Sequence, residues 1–171
     1  MAKKKLYIMC GPAGSGKSTW IRCNAEAGAS AHISRDRIRF DMVALDEYYF
    51  SHEDDVYEEF INQIIVAIGS PWVDAVYADA THLTKKSRIK LINEIDNRLS
   101  GTGYWYDIIA VVVKPDIDIC LAQNAQRKGR ECVPERVIRN MYNSFQSPLG
   151  DDLRYTMIIE NDSIIYGTEG N

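Results

Sequence analysis

Residues 6–20 read LYIMCGPAGSGKSTW. Leu6–Cys10 is an apolar run of strand length, and it ends abruptly in glycine. Gly11–Ser18, GPAGSGKS, then fits the pattern G-x-x-x-x-G-K-[ST]. A helix is expected over Ser18–Ala27, closed by Gly28. A buried strand, a glycine-rich turn and a helix in that order form a phosphate cradle. The glycines allow backbone turns that a side chain would block, so that successive N–H groups point at phosphate oxygens. The helix N-terminus adds positive field. Lys17 is the residue type that reaches the β- and γ-phosphates, and Ser18 the one that holds Mg²⁺. The expected nucleotide site is therefore Gly11, Pro12, Ala13, Gly14, Ser15, Gly16, Lys17, Ser18 and Thr19. No N-K-x-D motif of the guanine-binding type is present, so ATP is the expected nucleotide.

The surrounding chain repeats the strand–helix alternation. Strands are expected at Ala31–Ser34, Val73–Ala78, Ile108–Val113 and Tyr155–Ile159. Helices are expected from Arg35, capped by Ser34; over Glu53–Ile68; from Thr84, with Ile89, Ile92, Ile95 and Leu99 inward; after a cap at Asp116; and from Pro134. Alternating strands and helices predict an α/β three-layer fold, a parallel sheet of about five strands. The tail after Glu160 is expected to fray.

The chain has 171 residues, the length of one domain, with 46% hydrophobic and 26% charged residues and a net charge of −4. Any nucleic-acid contact is then local, through a patch or groove. Cys10, Cys23, Cys120 and Cys132 form no C-x-x-C pair and read as reduced thiols. No apolar run is long enough to span a bilayer, and a cytoplasmic location is expected. The three histidines, His32, His52 and His82, share no metal-ligand spacing and read as structural or surface residues. The oligomeric state is left open.

Three further stretches carry charge where open parallel sheets bind ligands, beyond the carboxyl ends of strands. In HISRDRIR (32–39), Asp36 and Arg39 stand three apart on one helical face, with Arg35 beside them. A carboxylate there can take a proton from a hydroxyl, and an arginine can grip a phosphate. An exposed ion-pair cluster accounts for the same residues, and this stretch alone leaves both readings open. In VYADATHLTKKSR (76–88), Asp79 ends an apolar strand, the place of a carboxylate near Mg²⁺ or substrate. In residues 124–134, Arg127, Lys128 and Arg130 lie in a turn between two helices, suited to a lid over phosphates. KPDIDIC (114–120) faintly resembles the start of an aspartate-nucleophile phosphatase, but too few residues follow it for a second domain.

In this order, GPAGSGKSTW, ISRDRIR, ADATHLTKKSR and NAQRKGRECVPERVIRNMYNSF resemble the polynucleotide 5′-hydroxyl kinase family, from Leu6 to about Phe145. The resemblance implies Asp36 as general base on a 5′-hydroxyl, Arg39 on the substrate phosphate, Asp79 at the strand end and Arg127 as the lid arginine. Two positions depart from the family: Gln123 stands where an arginine is common, and His82 where asparagine is common. The implied activity is transfer of the ATP γ-phosphoryl to a hydroxyl acceptor, the 5′-OH end of DNA or RNA. Two alternatives stand beside it: the same chemistry on a small metabolite, nucleotide or tRNA-linked acceptor, and an ATP-binding or ATPase module with no acceptor.

Overall fold

The strand that leads into the glycine-rich turn lies at the centre of the sheet. A computed structural model describes residues 3–25 and 28–167. The elements run β1 (Lys4–Cys10), α1 (Lys17–Asn24), β2 (Ser30–Ser34), α2 (Arg35–Met42), α3 (Glu53–Gly69), β3 (Ala75–Asp79), α4 (Lys85–Leu99), β4 (Tyr106–Val112), α5 (Ile117–Ala125), α6 (Glu135–Asn143), β5 (Tyr155–Glu160) and β6 (Ser163–Gly167). The strand order is β2-β3-β1-β4-β5-β6. The first five strands pair in parallel, and β6 returns antiparallel to β5. This is the α/β P-loop architecture, a mostly parallel sheet flanked by helices.

Alternation along β1 builds the two cores. Leu6, Ile8 and Cys10 point to one face, where α3 supplies Val56, Phe60, Ile61, Ile64 and Ile68, and α4 supplies Leu91, Ile92, Ile95 and Leu99. Met9 points to the other face, with Tyr77, Val111 and Ile21 of α1. Both faces are covered, so β4 reads as an unbroken apolar run. No helix among the described residues is long and apolar enough to cross a membrane.

Three expectations are corrected. The tail after Glu160 does not fray over its first residues: Ser163–Gly167 fold back as β6, a sixth strand beside the five parallel ones. Asn161 and Asp162 both adopt positive φ, at 45° and 65°, and make the two-residue turn that a tight hairpin needs. In α4 the inward register takes Arg88 and Leu91, with Ile89 only partly buried. Asp116 stands at the N-cap position of α5 but makes no capping hydrogen bond. The expected end of the first helix, Glu26–Ala27, lies outside the described residues.

Arg88 is a guanidinium in the hydrophobic core, with its side chain 0% exposed and that of its partner Asp151 1% exposed. Nη2 donates to Asp151 Oδ1 at 2.9 Å, and Nη1 to the His82 carbonyl at 2.9 Å. Tyr155 Oη adds a third bond to Asp151, at 2.9 Å. A pair this dry is held by mutual satisfaction, so removing one partner leaves a buried charge. Asp151→Ala is expected to lower unfolding free energy by about 3–5 kcal/mol in urea melts. Exposed Asp152, paired with Lys85, is the control, and Asp152→Ala is expected to cost no more than about 1 kcal/mol.

Candidate active site

The glycine-rich turn joins β1 to α1 in a conformation that excludes side chains. Gly14 has φ 76°, and a Cβ there would lie 2.3 Å from the Cys120 carbonyl oxygen. A Cβ on Gly11 would lie 2.1 Å from the Val113 carbonyl oxygen. A Cβ on Gly16, at φ 97°, would make only ordinary contacts, with Gln123 Oε1 at 3.7 Å and Val113 Cγ1 at 4.0 Å, so glycine is required there by the backbone alone. Lys17 is buried and donates to the carbonyls of Gly11 at 3.0 Å and Pro12 at 2.8 Å. Burial pulls its ammonium below the ordinary lysine range, against the opposing pull of Asp79 and Asp36.

Pairing of β3 directly beside β1 brings Asp79 to Ser18, whose Oγ donates to Asp79 Oδ2 at 2.8 Å. His32, in the middle of β2, places Nε2 2.8 Å from the same oxygen. Burial would raise the Asp79 carboxyl; the His32 hydrogen bond, the Lys17 charge and the Ser18 hydroxyl outweigh it and hold it below the usual range. The sequence reading had His32 as an ordinary residue. Its signal was its register: β2 runs parallel to β3, with Ser34 opposite Asp79 and His32 two residues earlier.

Beyond Asp79 the chain is tied to the base of the glycine-rich turn. Gly11 N donates to the Thr81 carbonyl at 2.9 Å, and His82 Nδ1 lies 2.9 Å from the Met9 carbonyl. His82 is buried at φ 38°, a conformation that asparagine tolerates better than most residues. Burial drives its pKa down to about 4.

Across the cleft, Ser34 caps α2 by accepting from Arg37 N. The helix then presents Asp36, with a side chain 67% exposed, and Arg39, with one 6% exposed. The Arg39 fork is occupied. Nε and Nη2 donate to both oxygens of Glu53 (Nη2–Oε2 3.1 Å), and Nη1 donates to Asp36 Oδ1 at 2.6 Å and to Tyr49 Oη at 3.3 Å. Arg35 joins the same carboxylate, Nη2 to Glu53 Oε2 at 2.9 Å. Glu53, at the start of α3, is the hub of this cluster and was not singled out in the sequence. Burial works against the Arg39 charge, but the Glu53 and Tyr49 hydrogen bonds raise its pKa further.

The segment 124–134 packs over the cleft. Asn124 pins it through a reciprocal pair with Val133, Nδ2 to the carbonyl at 2.8 Å and N to Oδ1 at 2.9 Å. Arg130 Nη1 donates to the Val43 carbonyl at 2.9 Å, and its guanidinium lies over Phe40 and Tyr49. Arg127 lines the cleft and is close enough to Lys17 to lower its pKa. Lys128 does not line it.

One cavity of about 1380 Å³ joins these parts, lined by Ala13–Thr19, Asp79, Asp36, Arg39, Arg127 and Arg130, among others. Gly11 and Pro12 serve it from behind, through the carbonyls that hold Lys17. The donors suit a triphosphate: a helix N-terminus, the backbone N–H groups of a turn with three glycines, and a buried ammonium. Ser18 and Asp79 offer two hard oxygens at one point, a set that fits Mg²⁺ completed by phosphate and water oxygens. Among the described residues no group of three His, Cys, Asp or Glu side chains could hold a metal ion by itself.

The chain belongs to the AAA domain family AAA_33, whose model matches residues 6–148. No curated protein sequence matches it. Among solved structures, a chain of the Pnkp1/Rnl/Hen1 RNA repair complex is 18% identical with TM-score 0.66, covering 84% of this chain and 44% of that one. A fungal RNA kinase is 16% identical with TM-score 0.64, covering 94% and 38%. A gluconokinase from Sinorhizobium meliloti 1021 is 17% identical with TM-score 0.50, covering 94% and 83%. The chain spans less than half the length of the first two. These likenesses show the fold, and the P-loop domain of the family implies nucleotide binding.

His82 gives the site a measurable acid limit. Its ordinary pKa of 6.5 falls to about 4 in the fold because burial disfavours the charged form. The unfolded chain then binds a proton that the folded chain refuses. Stability is full above about pH 6.5 and falls as pH drops toward 4, by up to about 3 kcal/mol. His82→Asn is expected to flatten this limb, measured as the difference in urea midpoint between pH 7.5 and pH 5.

Proposed function

We propose that this chain is an ATP-dependent kinase that moves the γ-phosphoryl group to a hydroxyl, and that the acceptor is the 5′-OH end of a DNA or RNA strand. One observation carries the reading. A phosphate-binding turn and an exposed carboxylate, Asp36, line one cavity of about 1380 Å³, room for a nucleotide and for a second substrate beside the base.

In this reading the backbone from Ala13 to Thr19 and the Lys17 ammonium hold the triphosphate. Mg²⁺ between Ser18, Asp79 and phosphate oxygens would supply charge neutralisation at the transferring group. Asp36 accepts the hydroxyl proton at Oδ1 or Oδ2, and its hydrogen bond to Arg39 holds it in place. Arg127, on the cavity lining, offers a cation for charge that develops on the phosphoryl oxygens. Arg130 completes the lid and fastens it to α2 through Val43, while Lys128 stands off the cavity.

The occupied fork of Arg39 favours a second reading, a small acceptor without phosphate, because Glu53 and Asp36 already satisfy the cation that would grip one.

Transfer of label from γ-labelled ATP to a 5′-hydroxyl oligonucleotide is the test. Asp36→Asn is expected to lower kcat about 10²- to 10⁴-fold while ATP affinity stays within about twofold. Unchanged nucleotide turnover in Asp36→Asn without any acceptor would establish the ATPase alternative instead. Label on sugars but not on oligonucleotides would establish the small-acceptor reading.

A further inference from the structure

Between α2 and α3 the chain crosses the mouth of the cleft as VALDEYYFSH, residues 43–52. The crossing is ordered by its own bonds. Val43 is buried, Glu47 Oε2 accepts from Ala44 N at 2.9 Å, and Ser51 N donates to the Tyr48 carbonyl at 2.9 Å. Tyr49 turns inward, where its hydroxyl meets Arg39 and Asp36 and its ring lies under both Arg39 and Arg130. Its two neighbours are more open, although the Arg39 guanidinium also lies over the Phe50 ring, 5.3 Å from its centroid. Tyr48 is 72% exposed and Phe50 50% exposed. The three rings form a step: Tyr48 and Phe50 centroids are 5.8 Å apart, Tyr49 and Phe50 4.8 Å. Phe50 and Tyr49 line the same cavity as Asp36, so the step begins where a hydroxyl would meet its base.

The charge beyond the step is negative. Asp46 and Glu47 on the crossing, and Asp54 and Asp55 on the first turn of α3, are all exposed. The nearby guanidinium groups of Arg35 and Arg39 are neutralised by Glu53 and Asp36. Exposed aromatic faces beside a substrate cavity are suited to stacking a flat ring. Exposed carboxylates around them repel a polyphosphate backbone.

We propose that the exposed rings of Tyr48 and Phe50, backed by the inward Tyr49, stack the nucleobase of the acceptor's terminal nucleoside, and that recognition stops there. The inference deepens the polynucleotide-end reading above and rests on it. The acceptor is then read by its first base and not by its backbone, and a nucleoside 3′-phosphate is as good a ligand as a long strand.

The test is calorimetric binding in the presence of Mg²⁺ and a non-transferable ATP analogue. Three probes are compared: adenosine 3′-phosphate, the same sugar phosphate without a base, and a 5′-hydroxyl 20-mer. The mononucleotide and the 20-mer are expected to bind within about threefold of each other, with little change between 50 and 200 mM salt, where backbone recognition gives a steep loss. The abasic probe is expected to bind about 5- to 150-fold more weakly, the effect of one stacked base. Phe50→Ala and the more exposed Tyr48→Ala are expected to shrink that gap while keeping the wild-type melting temperature. Equal binding of the base-containing and abasic probes, a gap unmoved in both variants, or a 20-mer that binds far more tightly with a steep salt slope would overturn the stacking inference alone. Failure of all three probes to bind, with the ATP analogue bound, would overturn the polynucleotide reading itself.

Discussion

The parallel pairing of β3 against β1 is the constraint on which the site depends. It sets the Ser18 hydroxyl 2.8 Å from Asp79 Oδ2 and leaves no intervening strand to separate phosphate turn from carboxylate. The contact survives because the turn beyond Asp79 is tied to the turn beyond β1. Thr81 receives the Gly11 amide, His82 reaches the Met9 carbonyl, and Arg88 holds the His82 carbonyl from below. Arg88 in turn is fixed by Asp151, more than sixty positions away in sequence. A buried ion pair of this kind adds little net stability. Its role here is geometric, since it orders a left-handed residue that could otherwise relax.

The opposite wall is built on a different economy. Two arginines and two carboxylates, Arg35, Arg39, Asp36 and Glu53, neutralise one another at the entrance of α3. The cluster keeps α2 and α3 in register and holds Asp36 at the cavity edge, where its side chain remains mostly exposed. A carboxylate so placed has a rigid position and free access to a ligand, the two properties a proton acceptor needs. Arg130 extends the same logic, joining the segment over the cleft to the end of α2 through one carbonyl and two aromatic faces.

Much of the fold was legible because its signals are local. GPAGSGKS places the turn, and the run Ile108–Val113 places a strand covered on both faces. What escaped was set by pairing between distant segments. His32 looked ordinary because only the β2–β3 register brings it to Asp79. Glu53 looked like a helix-start acid, which it also is, until the fold brought it to Arg35 and Arg39. The hairpin at Asn161–Asp162 did carry a local signal, two residues that tolerate positive φ, outweighed by the polar tail that follows it. Arg88 was concealed by its type, since a guanidinium on a helix is normally read as solvent-facing.

In the proposed reading, acceptor choice falls to the part of the chain least constrained by the phosphate chemistry. The glycine-rich turn, Lys17, Ser18 and Asp79 are fixed by the shape of a triphosphate, and any acceptor is compatible with them. The segment 43–52 meets no such demand. It is short, held largely by its own turns, and carries the Tyr48 and Phe50 rings toward solvent beside the cavity that Asp36 lines. Burying those rings against α3 would gain apolar area at no cost to nucleotide binding. Their exposure is therefore better explained by what enters the cleft than by what holds the fold together.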